Sequence, residues 1–502
     1  LEVSEVLGEN VTTIQPPNLE AILDGDINEL APQDLVLTDA ANGRVFVEMH
    51  GDYVRYSLDT ERWHVWNGKR WAEDTREAHR GMVLAQATAQ RRRDTVLAYP
   101  REDPTEQNRI LQTATQLQNV AKMRSMLTIA ASDPRIQVLV GDFDQRLGLL
   151  NVQNGAVDLY TGDLVPSLAP DMHSCICEVD YVRDAAKPGY SKVFEEFLST
   201  FLPDEDDQRF IFAMLGHSLF RGNARRILPI IWGETTSGKS QFMSGVHKVL
   251  GSYVCTINAS VFRGALDDKP RPDLVAAMYK RVVWASEASK NWSLHADQVK
   301  RLTGGEPIPY RNLYQGMVQE TPRFTPFIVT NAIPHIIGLD TATKRRVLVI
   351  HFDRSLPKAL EDPNKREVFL NDRKCLEAIL ARMVYGARDD IIDVLPAKYV
   401  LATMTAHGEM DSIDEFLTWA TGEEKLLKVD PDSPKQHMIK ADEMHKLYQY
   451  WLKNYAETGL RKDQLSLRQL GQSLRDRGWM STQSSGTRWI GWKLTAGTIV
   501  WA

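Results

Sequence analysis

The stretch Ile227-Leu228-Pro229-Ile230-Ile231-Trp232-Gly233-Glu234-Thr235-Thr236-Ser237-Gly238-Lys239-Ser240 decides the fold. Its first six residues are an apolar run bounded by glycine, the pattern of a strand buried on both faces of a parallel sheet. The next eight fit GxxxxGKS, and Gln241 to Leu250 have helical character until Gly251 stops them. Strand, glycine loop and helix in this order form a phosphate cradle, because the loop's backbone N–H groups and the helix N-terminus converge on anionic oxygens. Gly233, Thr235, Thr236, Ser237, Gly238 and Gln241 would line that cradle, Lys239 would reach the outer phosphates and Ser240 would hold a cation. A plain glycine loop is the competing reading, and the flanking strand and helix count against it.

The expected cofactors are ATP and Mg2+, and the neighbouring strands supply the rest of such a site. Arg281-Val282-Val283-Trp284-Ala285-Ser286-Glu287 is an apolar run that ends in a carboxylate, 47 positions after Ser240. Glu287 is the candidate base or water-orienting residue and, with Ser240, a metal ligand; its other reading is a surface acid at a strand end. A third strand, Phe324 to Thr330, ends at Asn331, whose amide can bond the γ-phosphate or the lytic water, or else form an Asx turn before Pro334. Arg345 and Arg346 precede a fourth run, Val347 to Phe352. An arginine there can stabilise γ-phosphate charge in its own subunit or a neighbour, and a solvated basic turn is the alternative.

These segments resemble the superfamily 3 helicases of the AAA+ class, in particular the helicase part of phage, plasmid and poxvirus primase-helicases. The resemblance covers roughly residues 140–355. It rests on NVQNGAVDLYTGDL from Asn151, GETTSGKS, RVVWASE, KRLTGGEPIPYRNLY from Lys300, TNAIP from Thr330 and DTATKRRVLVIHF from Asp340. It implies a parallel sheet, Glu287 as the Walker B acid, Asn331 as sensor 1, Arg345 or Arg346 as a finger acting in trans, and a hexameric ring. Many members carry two adjacent acids at the Walker B strand; this chain has Ser286-Glu287. The resemblance also places a DNA-contacting hairpin between Walker B and sensor 1. There Lys300, Arg311, Tyr314 and Arg323 offer phosphate and base contacts, with a plain surface hairpin as the alternative.

Outward from this core, 502 residues suggest about three domains. Hydrophobic residues at 43% and charged residues at 25% exclude disordered, collagenous and coiled-coil classes. A net charge of −6 supplies no global field for a polyanion, so any nucleic-acid site must be local. The longest apolar stretch, Phe210 to Phe220, is too short to span a bilayer, and residues 1–20 have no basic signal-peptide start. No membrane association and a cytoplasmic setting, that of a bacterial host if phage-encoded, are expected. Four scattered cysteines fit a reducing compartment. His173, Cys175 and Cys177 share a strand face, but zinc wants a second pair, so buried thiols are the preferred reading. Asp204 to Asp207 read as a helix start.

The expected class is an α/β AAA+ P-loop domain with a parallel sheet, preceded by a mixed α+β region and followed by a winged-helix-like domain. Residues 1–40 read as an acidic tail or linker and 41–215 as the α+β region. Within it, Arg44 to Asp74 alternates as strands around Asn67-Gly68, helices occupy 76–130 and a hairpin 149–164. The three tryptophans of the first hairpin, Trp63, Trp66 and Trp71, read as core rather than as a base-stacking surface. The helicase core spans 216–360, a helical segment and linker 361–435 and the winged-helix-like domain 436–502. This last piece holds ten Lys/Arg and five Asp/Glu, a local +5. Docking or stabilisation is its alternative role. The function expected is ATP-driven unwinding in phage or mobile-element replication, on single-stranded and forked DNA. A primase or polymerase partner, or a primase domain before Leu1, fits that expectation. Two alternatives use the same site: a replication initiator or loader that melts an origin, and a P-loop ATPase or kinase that ignores nucleic acid.

Overall fold

The computed structural model describes residues 36–74, 78–220, 222–262, 271–287, 293–311, 317–337, 340–355, 362–392, 399, 416–417, 419–421, 426–428, 438–454, 465–476, 479, 481–482, 487–490 and 492–494. The described residues begin with helix α1 (Asp39–His50), started by Thr38, whose side chain accepts from Ala41 N at 3.2 Å. Residues 44–50 are thus helical and not the strand that their alternation predicts. Strands β1 (Val54–Ser57), β2 (Arg62–Trp66) and β3 (Trp71–Glu73) then form an antiparallel meander, with β4 (Gln137–Val138) parallel to β1. The turn at Asn67-Gly68 is longer than a two-residue hairpin: Trp66 pairs with Trp71, and Asn67 Oδ1 accepts from Lys69 N and Arg70 N. Trp63, Trp66 and Trp71 are buried, as the core reading requires. Helices α2 (His79–Ala98), α3 (Pro104–Gln116) and α4 (Val120–Ala130) fill the segment expected to be helical.

Strands β5 (Leu149–Val152) and β6 (Gly155–Asp158) form the second hairpin, and β7 (Leu164–Val165) adds to its edge. Cys175 and Cys177 beyond it are buried, and burial pushes the Cys175 thiol up to about 11. Helix α5 (Lys192–Phe201) starts at Ser191, and α6 (Glu205–His217) starts at Asp204, whose carboxylate accepts from Asp207 N. The acidic run is therefore a cap and first turn, where carboxylates oppose the helix dipole.

The centre is a parallel five-stranded sheet of β8 (Leu228–Trp232), β9 (Val254–Ile257), β10 (Val282–Glu287), β14 (Thr325–Thr330) and β16 (Val347–His351), in the order β16-β8-β14-β10-β9. Alternation divides its side chains between two cores. Ile231, Phe327, Val329, Leu348 and Ile350 join the helices on one face; Leu228, Ile230, Ile328, Val347 and Val349 join the other. The first face carries α5, α6, α7 (Lys239–Leu250), α11 (Pro363–Asn371) and α12 (Arg373–Gly386). Helices α6 and α12 cross with backbones touching: a Cβ on Gly216 would strike Gly386 and Ala387, and one on Gly386 would strike Phe212. The second face carries α8 (Pro272–Ala277) and α9 (Ala296–Thr303).

Between β10 and β14 lie β11 (Ser293–His295), α9 and the antiparallel pair β12 (Ile308–Arg311) and β13 (Met317–Glu320). After β14, β15 (His335–Ile337) pairs parallel with β11, and α10 (Thr341–Lys344) leads into β16. The carboxy-terminal helices α13 (Ala441–Asn454) and α14 (Leu467–Asp476) share a core with Trp489 through Met444, Leu447, Trp451, Leu470 and Leu474. There β18 (Met438–Lys440), β19 (Ser481–Thr482) and β20 (Arg488–Ile490) form a small antiparallel sheet, while β17 (Leu426–Lys428) pairs with β21 (Trp492–Leu494). No helix among the described residues is long and apolar enough to cross a membrane.

Candidate nucleotide site

Sheet register sets the site. Trp232 is paired with Thr330, and Thr330 with Glu287, so three adjacent strands end in one row. Each strand delivers a candidate residue at or just beyond that row: Gly233 opens the loop after β8, Asn331 follows β14, and Glu287 ends β10. Chain ends of a parallel sheet gather ligands in this way because every strand stops, and every connection starts, at the same edge. The backbone puts Glu287 in this row; the arrangement of its side chain lies outside the described residues.

The loop from Gly233 to Ser240 is wound tightly, with Thr236 at φ +69° and Gly238 at φ +80°. Gly238 is required twice over: its backbone is left-handed, and a Cβ there would lie 2.7 Å from the Phe201 ring. Lys239 is buried, and its Nζ donates to Gly233 O at 2.6 Å, Glu234 O at 2.6 Å and Ser237 Oγ at 2.9 Å. The ammonium thus occupies the hollow of the loop. Burial pushes it down to about 8, against the opposing pull of Glu234. Ser240, on the first turn of α7, is exposed to the same hollow's mouth.

A cavity of about 840 Å³ opens beside the loop. Thr235 through Gln241 and Asn331 line it, so the loop and the end of β14 face one space. One wall of it is aromatic. Phe197 and Phe201 on α5 and Phe369 on α11 contribute, with the Phe197 and Phe369 rings 4.5 Å apart. Arg366 and Asp362 complete the rim. The sequence reading missed this wall. Phe194, Phe197 and Phe201 do show helical spacing, but nothing local says that Phe369 joins them. Volume, an apolar wall and a loop of N–H groups suit a ligand with a flat ring at one end and phosphates at the other. No group of three or more His, Cys, Asp or Glu among the described residues could hold a metal ion alone. The donor set fits a cation shared with phosphate oxygens, Ser240 supplying the hydroxyl.

The two arginines are separated by their bonds. Arg346 N–H groups reach Lys300 O at 3.1 Å and Thr303 Oγ1 at 2.9 Å, tying it to α9, whereas Arg345 is exposed. Both lie at the wrong end of the sheet for their own loop: Arg346 O accepts from Leu228 N, at the start of β8. The five residues of β8, at roughly 3.3 Å each, put about 16 Å between that point and Gly233.

Of the candidate strand contacts, Lys300 Nζ is paired with Asp297 at 2.9 Å and Asp340 at 3.2 Å. Asp340 is held down to about 2 by its bonds with Thr343 and by Lys300. Arg323 donates to Gly141 O at 3.1 Å and lies over the Tyr279 ring, at the base of the β12–β13 hairpin. Arg311 is on β12, paired with Met317, with its side chain outside the described residues; Tyr314 lies wholly outside them.

A family described as D5 N terminal like matches residues 43–203. The chain is similar to "Putative helicase L207/L206" of Acanthamoeba polyphaga mimivirus, 24% identical over 312 residues, 59% of this chain and 32% of the relative. It is similar also to "Primase D5" of Fowlpox virus (strain NVSL), 24% identical over 152 residues, 29% of this chain and 19% of the relative. The chain spans about a third or less of the length of such relatives. Among solved structures, the apo NrS-1 C terminal region aligns over 92% of this chain and 100% of its own, at 11% identity and a TM-score of 0.41.

Proposed function

We propose that this chain is the motor of an ATP-driven DNA helicase of the superfamily 3, AAA+ kind, working as a ring. One observation carries the reading: the Lys239 loop and Asn331 face one cavity, with Glu287 in the same row of the sheet. The triphosphate displaces the Lys239 ammonium's loop partners and takes their place, the aromatic wall receives the base, and Ser240 with Glu287 would hold Mg2+. The cation, when bound, neutralises phosphate charge. Glu287 orients or deprotonates the attacking water and Asn331 bonds the terminal phosphate or that water. Arg345 supplies charge to the transition state on a neighbouring copy, because its own loop is a strand's length away. The β12–β13 hairpin contacts single-stranded DNA, and the basic carboxy-terminal piece acts as a winged helix on duplex.

A strand-displacement assay on forked DNA with ATP, run beside mass measurement of the assembly, tests motor and ring together. ATP-dependent displacement by a six-membered assembly is expected. Tight binding to one duplex site with local melting and no processive displacement would instead favour an initiator or loader. Hydrolysis indifferent to single-stranded DNA would sink the helicase reading. Lys239→Ala removes the phosphate-neutralising charge, so turnover should fall at least 100-fold, on the order of the loss when a preorganised electrostatic donor is deleted. Wild-type turnover in that variant would refute the site.

A further inference from the structure

Asp340 divides its two oxygens between two elements. Oδ1 accepts from Thr343 N at 2.8 Å and Thr343 Oγ1 at 2.7 Å, capping α10, the turn that ends in Arg345. Oδ2 accepts from Lys300 Nζ at 3.2 Å, on α9, the helix that feeds the β12–β13 hairpin through Gly304 and Gly305. Arg346 ties the same two elements from below, through Lys300 O and Thr303 Oγ1. The two connections differ in kind. Arg346 bonds partly buried neutral acceptors, whereas the Lys300–Asp340 pair is open to water, its side chains 33% and 46% exposed. An exposed pair of this sort shifts an equilibrium only about two- to fivefold, which a nucleic-acid phosphate can outcompete.

We infer that Asp340 is a positioning residue that couples the strand-contacting hairpin to the arginine acting between copies: it holds α9 against α10 until a DNA phosphate takes Lys300 from it. This rests on the proposed roles of the hairpin and of Arg345. Arg346 is then the fixed hinge of the connection, and Asp340 its exchangeable side. Asp297, which also holds Lys300, at 2.9 Å, belongs to α9 itself, so this pair lies within one helix and does not join α9 to α10.

The test compares Asp340→Asn and Asp297→Asn in the full chain. Asparagine keeps the oxygen that caps α10 and removes the charge that holds Lys300. Two quantities are measured: ATP hydrolysis with and without oligo-dT, and hydrogen exchange of the α9 amides without DNA. For Asp340→Asn, DNA-free hydrolysis should rise roughly two- to fivefold, stimulation by oligo-dT should shrink by the same factor, and α9 exchange should quicken to a similar extent. Asp297→Asn should leave DNA-free hydrolysis unchanged. Unchanged α9 exchange in Asp340→Asn overturns the coupling, as does an equal rise in hydrolysis from Asp297→Asn. Faster exchange spread over the central sheet would mean a loosened fold and would overturn it too. A wild-type chain whose hydrolysis ignores oligo-dT refutes the helicase reading instead, and α9 exchange still decides whether Asp340 restrains that helix.

Discussion

Lys239 is held between opposing demands. Its ammonium has three oxygen partners in the loop, yet burial pushes it down to about 8. A triphosphate brings the negative charge that the loop's neutral oxygens lack, so binding should restore the ordinary lysine range near 10. The sign follows. At pH 9 the free site is mostly deprotonated and the occupied site protonated, so nucleotide binding takes up most of one proton; at pH 7 both are protonated and uptake from this group is small. Titration calorimetry at pH 9 in two buffers of different ionisation enthalpy measures the number directly. Equal heats in both buffers at pH 9 would mean that the lysine is not buried in the free loop. The same residue was legible from eight letters of sequence because its neighbours in space are its neighbours in the chain. Asp340 was not, since its meaning comes from Lys300, forty positions away.

Among the elements, helix α1 and the meander that follows it each carry one histidine, His50 and His64, whose burial makes this amino-terminal region sensitive to acid. His64 is buried against the Phe143 ring, and His50 between Tyr53 and Thr88; burial pushes both down to about 4 from an ordinary 6.5. The folded state therefore binds fewer protons than the unfolded state between these values. Stability is complete above pH 6.5 and is lost as pH falls toward 4, each histidine removing roughly 2 kcal/mol by pH 5. Thermal unfolding of wild type and His64→Phe at pH 7.5 and pH 5 checks this: the variant should lose less on acidification, and an identical loss would rule out His64 as a source. These elements also show what a sequence pattern can carry. Four of the five central strands were legible because each apolar run sits beside a loop with a chemical signature; β9, Val254–Ile257, has no such neighbour and was not read. Helix α1 was misread because Val45-Phe46-Val47 suits a strand as well as a buried helix face, and the Thr38 cap decides between them. The aromatic wall of the cavity was illegible for another reason: Phe197 and Phe369 meet only because α5 and α11 pack on one face of the sheet.

At the scale of the whole molecule, the net charge of −6 supplies no general field for a nucleic acid, so the proposed ring would rely on a few cations facing its channel. What matters is whether copies complete each other's sites. Arg345 precedes β16 while the loop follows β8, and the two strands run parallel, so a strand's length separates the arginine from its own Lys239. The proposed ring would place the arginine edge of one copy against the loop edge of the next, a head-to-tail contact that closes by rotation. Arg345→Ala and Lys239→Ala chains should each be inactive alone. Mixed in equal amounts, half of the loops keep their lysine and half of the neighbours keep their arginine, so about a quarter of the interfaces are intact if copies mix at random. Hydrolysis should recover to about that fraction of wild type, rising as the mixture re-equilibrates. An arginine acting within its own copy gives no recovery at any ratio, because no single chain in the mixture then holds both residues.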